Sequence, residues 1–352
     1  MAGIGVLAVD HVFAAEPGEP FRYRGSRGGG SVWNVLAHLA QAGVGANACG
    51  ACGADDAGKE AAHELSELGV DIRGLAHPAG TRTPIFTQWL DESSRHGPAI
   101  PQDNFTVDCA VCGRPPPADI ARFSGALSAP ADVRCVCADR LIDETAPAIR
   151  RARDLGMTTA LDLGGTAGIK DVDRALLRGR IGDFDIVAMP GAVASWLGET
   201  EAEVFAEALI GNGAGAVLVT GGRDGFRLRL RGPDGGLLRL DSAPYPIAAV
   251  VDATGAGDAV MARLIECSLR MATPAAGARG LTFPGDAPAA LAEALRAAPA
   301  ETLGGVGARA SLPAAPPATA WGKRLASLQG TPLDGLRERL ADTRPCVFCG
   351  QP

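Results

Sequence analysis

The sequence VDATGAGD at residues 251–258 joins two regular elements. An apolar, β-branched run precedes it, and residues 259–269 have the apolar spacing of a helix, so the stretch forms a strand-to-helix turn. Backbone N–H groups at a helix start lack internal partners and lie at the positive end of the helix dipole. Because Gly255 and Gly257 carry no side chain, this backbone can approach a phosphate closely. Asp258 lies at the mouth of the turn, where a carboxylate can accept a proton from an attacking hydroxyl, so the turn suits phosphoryl transfer.

Taken alone, the turn also has a simpler interpretation. A tight turn with an aspartate near a helix start is common and requires no catalysis. The octet, however, resembles the signature of the ribokinase-like (PfkB) carbohydrate and nucleoside kinases. The resemblance implies that Asp258 is the catalytic base and that the amides of Gly255, Ala256 and Gly257 form the anion hole. It also implies ATP and Mg²⁺ as cofactors and a small molecule with a hydroxyl group as the acceptor, whose identity the sequence leaves open.

The composition favours a soluble globular enzyme. With 352 residues, the chain is long enough for one large α/β domain with additions or for two domains. The net charge of −7 and the lack of a long basic run argue against nucleic acid as the main partner. The first ten residues lack the basic start and cleavage site of a signal peptide, and no long apolar stretch is present. We therefore expect no membrane span, a cytoplasmic location and mostly reduced cysteines.

A second pattern, near the N-terminus, points to substrate binding. Residues 4–9 form a predicted buried strand that ends in Asp10, and Gly29-Gly30 precedes a predicted helix that carries Asn34. Short Asp and Asn side chains at such ends can hold neighbouring hydroxyls, although Asp10 as a turn former and Asn34 as a surface residue is the alternative. Residues 29–34 resemble the family's first signature, which implies that Asp10, Gly29, Gly30 and Asn34 bind the acceptor.

The order of predicted elements indicates the fold class. Residues 118–250 alternate strands and helices, the pattern of a parallel sheet covered by helices. The resemblance implies a ribokinase-like, doubly wound α/β domain over about residues 1–315, with a small β-lid from about residues 12–27 and 80–117. Such a lid closes over the acceptor and excludes water, and in this family it often pairs two subunits, so a homodimer is a further hypothesis.

The nucleotide side is predicted from two further stretches. Residues 220–225, TGGRDG, resemble the family's ATP-side turn, and residues 307–313, GARASLP, resemble the loop that closes the adenine pocket. The contacts implied for the nucleotide are Thr220, Gly222, Gly225, Thr254, Gly307 and Ala308. Asp252 and Ser311 are implied as ligands of a monovalent cation such as K⁺, although Ser311 equally fits the cap of a turn.

One departure from the family pattern concerns magnesium. Family members commonly carry Asn-x-x-Glu after the strand near residue 186, but an ungapped register places Met189 and Ala192 at these positions. Neither side chain can bind a hydrated cation. Altered metal handling through other acids such as Asp162 or Glu199, slow turnover, and a non-catalytic ligand-binding or regulatory protein all remain open. The intact octet favours an enzyme.

Two Cys-x-x-Cys-Gly motifs predict a structural metal site. Cys109 and Cys112 lie in an unusual proline-rich insertion, and Cys346 and Cys349 lie at the end of a C-terminal tail, residues 316–352. Four thiolates from two tight turns are typical ligands of structural Zn²⁺. A redox pair and unpaired surface cysteines are the alternatives, and a zinc ion shared between two subunits would use the same four ligands.

Overall fold

The computed structural model describes residues 1–77, 83, 85–90, 105–107, 133–139, 145–164, 174–197, 201–243, 250–275, 280–303, 309 and 311–332. The strands in these ranges are β1 (Ala2–Val6), β2 (Ala8–Ala14), β3 (Arg22–Gly29), β4 (Asn47–Ala51), β5 (Asp71–Ala76), β6 (Ile85–Leu90), β7 (Phe105–Val107), β8 (Cys135–Ala138), β9 (Thr158–Asp162), β10 (Ile186–Pro190), β11 (Ala216–Thr220), β12 (Phe226–Arg231), β13 (Leu237–Ser242), β14 (Thr273–Pro274) and β15 (Leu281–Thr282). The helices are α1 (Ser31–Gln41), α2 (Asp56–Glu67), α3 (Ala146–Asp154), α4 (Arg174–Arg180), α5 (Gly191–Trp196), α6 (Ala202–Gly211), α7 (Ala256–Met271), α8 (Ala287–Leu303) and α9 (Ala320–Ala326).

The central sheet has the strand order β13-β12-β11-β10-β9-β8-β1-β4-β5. It is parallel from β11 to β5, while β12 and β13 add an antiparallel edge. Strands β8 and β10 carry buried residues on both faces, as expected of parallel strands covered on both sides. Helices α1, α2, α7 and α8 pack on one face and α3 to α6 on the other, each over its own apolar cluster. The predicted doubly wound α/β fold is therefore confirmed.

A second sheet, with the order β3-β2-β6-β7, forms the lid. Strands β6 and β7 fall within residues 80–117, much of which lies outside the described ranges, whereas β2 and β3 cover Ala8–Ala14 and Arg22–Gly29 and so extend beyond the predicted lid residues 12–27. Strand β2 leaves the central sheet directly after β1, with the buried Leu7 as the only residue between them. The sequence predicted one strand over residues 4–9 with Asp10 at its end. That prediction is wrong, because Asp10 lies inside β2, opposite Arg27 of β3.

The first part of the C-terminal tail packs on the lid. Leu325 and Leu328 join Phe13 and Tyr23 in one buried apolar cluster. The backbone continues this contact, since the Tyr23 N–H donates to the carbonyl of Thr331 at 3.0 Å. Docking of residues 320–332 thus rests on apolar burial and backbone hydrogen bonds. The four cysteines of the predicted zinc site lie outside the described residues, and that site stays a prediction.

The turn after β11 provides a test of close backbone packing. Gly225 and Gly235 both have a φ of +83°, but a Cβ at Gly225 would overlap the carbonyl oxygen of Ser242, whereas a Cβ at Gly235 would meet nothing within 4 Å. The positive φ makes alanine unfavourable at either position, at a backbone cost of about 1–3 kcal/mol. We expect Gly225→Ala to lower the free energy of unfolding by clearly more than its matched control, Gly235→Ala. Urea denaturation measures both, and equal losses would contradict this packing.

Candidate functional site

The turn before α7 has the geometry of an anion site. Gly255 caps the helix with a φ of +76°, a left-handed conformation that favours glycine. The Ala256 N–H makes a long turn bond of 3.3 Å to the carbonyl of Ala253, while the following N–H groups belong to the first helical turn, which leaves its donors without intrahelical partners. A Cβ added at Gly257 would meet nothing within 4 Å, so the space beside the turn is open. A negative group there would face free donors at the positive end of α7.

Asp258 is held by the first turn of α1. Its Oδ2 accepts a hydrogen bond of 2.6 Å from Asn34 Nδ2, and Ser31 also hydrogen-bonds to this carboxylate. Burial raises the pKa of Asp258 to about 6; the bonds from Asn34 and Ser31 oppose the increase, and the nearby Asp139 adds to it. With that pKa, the carboxylate is mostly ionised at neutral pH, so it can accept a proton. The structure therefore brings together two predicted site residues that lie 224 positions apart.

Two further carboxyl groups lie beside Asp258 at the carboxyl edge of the central sheet. Asp162 ends β9, and its Oδ1 accepts from the Gly164 N–H at 2.8 Å. Burial, followed by the charge of Asp258, raises the pKa of Asp162 to about 8, so this group carries a proton at neutral pH. Asp139, which directly follows β8, is also buried. Asp162 was predicted from the sequence only as one of the acids that could take part in altered metal handling, and Asp139 was not predicted, although its position directly after a buried strand was the available signal.

Asp10 and the two glycines that the sequence predicts as acceptor ligands lie next to one another. A Cβ at Gly29 would overlap the Asp10 carboxylate, so this glycine makes room for the acid. Gly30 precedes α1 with a φ of +103° and thereby aims the helix that carries Asn34. Burial raises the pKa of Asp10 to about 7, although the positive charge of Arg309 opposes that increase. Asp10, Gly29, Gly30 and Asn34 are thus gathered at one place.

Arg309 enters this side of the site, and the sequence analysis missed it. Its Nε donates to Asn34 Oδ1 at 2.8 Å, and its Nη1 lies 3.6 Å from Glu64 Oε1. The other oxygen of Glu64 accepts from the Gly28 N–H at 2.6 Å. The family resemblance assigned residues 307–313 to the adenine pocket, yet the side chain of Arg309 contacts the predicted acceptor residue Asn34. A lone arginine in a stretch of small residues was the only signal.

Asp252 and Thr254 are linked to the lid. Asp252 Oδ1 accepts from the N–H of Thr254 at 2.8 Å, from its hydroxyl at 2.7 Å and from Gln88 Nε2 at 3.0 Å. Gln88, in β6, also hydrogen-bonds to the Thr254 hydroxyl. The Thr254 side chain is therefore occupied within the turn, and Gln88 is a lid contact that the sequence analysis missed. Ser311 lies in a groove with His38 and Glu266, 3.5 Å from the hydroxyl of Thr302, and the monovalent cation site stays a prediction.

The predicted nucleotide turn lies at the same edge of the sheet. Thr220 ends β11, and Gly222 and Gly225 have φ values of +59° and +83°, which explains the glycines. Ligands often bind at this edge in open α/β sheets. Gly307 and Ala308 lie outside the described residues.

The positions of the family's Asn-x-x-Glu do not fit magnesium. Met189 is buried at the end of β10, and Ala192 is exposed on α5, so neither presents an oxygen ligand. Over the described ranges, we find no group of three or more His, Cys, Asp or Glu side chains arranged to hold a metal ion. None of the helices in the described part of the chain is long and apolar enough to cross a membrane.

Comparisons with known proteins identify the fold. No protein-family model matches the chain, and no curated protein matches it significantly. Among solved structures, a sugar kinase from Pyrococcus horikoshii in complex with ATP is 20% identical, with a TM-score of 0.64 over 93% of this chain and 97% of that one. A fructokinase from Vibrio cholerae O395, in a fructose-, ADP- and calcium-bound form, is 15% identical, with a TM-score of 0.66 over 94% and 99%. A nucleoside kinase from Burkholderia thailandensis in complex with inosine is 18% identical, with a TM-score of 0.64 over 89% and 94%. At these identities the matches show the fold, and they confirm the ribokinase-like fold predicted from the octet.

The buried carboxyl groups predict how stability depends on pH. The folded-state pKa of Asp162, about 8, lies above the ordinary value of 3.8, so the native state binds more protons than the unfolded chain between these values, and this group lowers stability as pH rises. His11 and the Met1 amino group have lowered pKa values and act with the opposite sign, so the informative quantity is the difference between variants. We expect Asp162→Asn to reduce the loss of melting temperature between pH 6 and pH 8 relative to the unsubstituted chain. Calorimetry measures it, and Asp71→Asn, on the edge strand β5, is the control; identical slopes for all three proteins would contradict the assignment.

Proposed function

We propose that this protein is an ATP-dependent kinase that phosphorylates a hydroxyl group of a sugar, a nucleoside or a related small molecule. The observation that carries the proposal is the Asn34–Asp258 hydrogen bond at the start of α7. It places an ionisable carboxylate, a candidate acceptor ligand and the free amides of a helix start in one small volume. A nucleophile, a proton acceptor and a developing negative charge are the three things that phosphoryl transfer has to position.

In the proposed reaction, Asp10 and Asn34 hold the hydroxyl groups of the acceptor. Asp258 takes the proton of the attacking hydroxyl, whose oxygen forms a bond to the γ-phosphorus of ATP while the bond to the β-phosphate oxygen breaks and ADP leaves. The first-turn amides of α7, including that of Gly257, stabilise the charge on the transferred group. The turn at Thr220 holds the nucleotide phosphates. Known structures of the same fold support this proposal, since they include a sugar kinase bound to ATP, a fructokinase bound to fructose and ADP, and a nucleoside kinase bound to inosine.

The lid contributes by excluding water, which would otherwise compete as acceptor. Gln88 connects β6 to Asp252 and Thr254, so lid closure and the anion turn share one hydrogen-bonded cluster. Mg²⁺ would accompany ATP and offset its charge, but the side chains of Met189 and Ala192 offer no oxygen ligand for it. A homodimer formed through the lid belongs to the same proposal.

A ligand-binding or regulatory protein is the second candidate. The buried Met189 and the exposed Ala192 favour it, because both replace residues that family members commonly use near the metal. The two candidates differ in one measurement. ATP consumption that rises only when a hydroxylic acceptor is added identifies the kinase, and saturable acceptor binding without consumption identifies the regulator.

Replacing the proposed base tests the kinase directly. Asp258→Asn keeps the size of the side chain, and its amide oxygen can still accept the hydrogen bond from Asn34. The amide cannot take the proton from the attacking hydroxyl, so we expect turnover to fall by about 10²–10⁴-fold. ATP affinity, measured by calorimetry, should stay nearly unchanged because the amides of α7 remain. Asp71→Asn, at the far edge of the sheet, is the matched control and should retain full activity. A nearly unsubstituted rate in Asp258→Asn would refute the role of this residue.

The pH dependence of the reaction gives a second test. With a pKa of about 6, Asp258 should make kcat/KM increase as pH rises through about 6 and then level off. Because the nearby Asp139 raises the pKa of Asp258, the Asp139→Asn variant should shift this rise to lower pH. Initial rates from pH 4.5 to 8 measure the shift. A rise that stays in place, or that moves to higher pH, would contradict the proposed coupling.

A further inference from the structure

Arg309 is a buried cation with unused donors. Its side chain is only 1% exposed, and Nε donates to Asn34 Oδ1 at 2.8 Å. Over the part of the chain that the structure describes, neither Nη1 nor Nη2 has a hydrogen-bond partner. A buried charged group whose donors are unsatisfied is costly, and native proteins normally provide a partner. The two terminal nitrogens of Arg309 therefore lack the partner that a bound ligand would supply.

Glu64 does not fill that role. Its Oε1 lies 3.6 Å from Arg309 Nη1, beyond a good hydrogen bond, and 3.9 Å from Arg27 Nη1. Its Oε2 accepts from the Gly28 N–H. One carboxylate is thus shared by two guanidinium groups, and although the charges of Asp10 and Asp258 also act on Arg309, no described side chain makes a hydrogen bond to its Nη atoms. A planar guanidinium with two free Nη atoms matches a carboxylate or a phosphate in a bidentate arrangement.

The position of Arg309 relates this charge to the acceptor. The amide of Asn34 bridges the two groups, since its Nδ2 donates to Asp258 and its Oδ1 accepts from Arg309. Gly28 keeps the backbone next to Nη1 bare, because a Cβ there would lie 3.0 Å from that nitrogen. An anionic group bound to Arg309 and a hydroxyl group bound to Asp258 would therefore be separated by roughly the width of the Asn34 side-chain amide. This spacing suits a compact molecule that carries both groups.

We propose that the acceptor is a small polyhydroxy compound with an anionic group, a phosphate or a carboxylate, and that Arg309 binds this group while Asp258 faces the reacting hydroxyl. The inference rests on the proposed function and narrows its substrate class. It predicts discrimination against neutral sugars and against nucleosides without an acidic group, because these would leave the donors of Arg309 unsatisfied.

Matched pairs of ligands test the inference without relying on turnover. Calorimetry of the full chain with ATP present would compare fructose 6-phosphate with fructose, and gluconate with glucose. We expect at least about tenfold tighter binding of the charged member in one pair, which corresponds to about 1.4 kcal/mol, and the pair that shows it distinguishes phosphate from carboxylate. Equal binding within both pairs, or no binding of any charged member, would overturn the inference.

Variants test whether Arg309 is the source of the preference. Arg309→Met removes the donors and keeps the side-chain length, so the preference should disappear through weaker binding of the charged ligand alone. Arg309→Lys should keep part of it, and Arg73→Met, which removes an exposed arginine on β5, should keep all of it. Equal weakening of charged and neutral ligands in Arg309→Met would indicate a structural role and contradict the assignment. If that variant does not fold in thermal denaturation, the ligand pairs on the unsubstituted chain and on Arg309→Lys still decide.

Turnover separates this inference from the proposed function. Binding preference together with acceptor-dependent ATP consumption supports both. Preference without consumption supports the anion site and contradicts the kinase. Consumption with neutral acceptors at equal efficiency supports the kinase and contradicts the anion site.

Discussion

The Asn34–Asp258 hydrogen bond is the interaction on which the site depends. It joins the first turns of α1 and α7, two helices on the same face of the sheet, and it keeps a carboxylate ionisable although that group is almost fully buried. Burial alone would favour the neutral acid, while donation from Asn34 and Ser31 favours the charged one, and the balance leaves the pKa near 6. For the neighbouring Asp162, burial and the charge of Asp258 raise the pKa to about 8, so this acid holds a proton at neutral pH. Two acids in one pocket thereby take different protonation states, and this difference is what a proton acceptor at neutral pH requires.

Local patterns made the fold predictable. The helical period over residues 259–269 and the alternation through residues 118–250 are properties of short windows, and the described residues contain the helix and the sheet that they predict. The apolar run before the octet forms no strand at Val250 and Val251, and residues 244–249 lie outside the described ranges. The turns at Gly255 and Gly225 could also be predicted locally, because a backbone position with a positive φ strongly favours glycine. The division of this region into two strands, β1 and β2, could not be predicted from the sequence. The apolar run over residues 4–9 is continuous, and only tertiary structure shows that the chain changes sheets at Leu7.

The site was predictable only where a residue lay next to such a pattern. Asn34 and Asp258 lie near helix starts, and Asp10 follows an apolar run, but nothing in the sequence states that Asn34 touches Asp258, because their contact spans 224 positions. Arg309 and Gln88 belong to no local pattern and act through contacts with distant segments. Asp139 is an intermediate case, because it directly follows the predicted strand β8 but acts on Asp258, which is distant in sequence. Charge networks of this kind depend on burial and distance, which a linear sequence does not record.

The short link between β1 and β2 has a mechanical consequence. A single buried residue joins the central sheet to the lid, and Asp10 lies in the lid strand that follows it, so any large displacement of β2 would carry Asp10 with it. Asp10, one of the proposed hydroxyl ligands, would then move away from Asn34 on α1 whenever the lid opened and return whenever it shut. Capture of the acceptor and completion of its binding site would be a single event, and release of the product would require the same site to come apart.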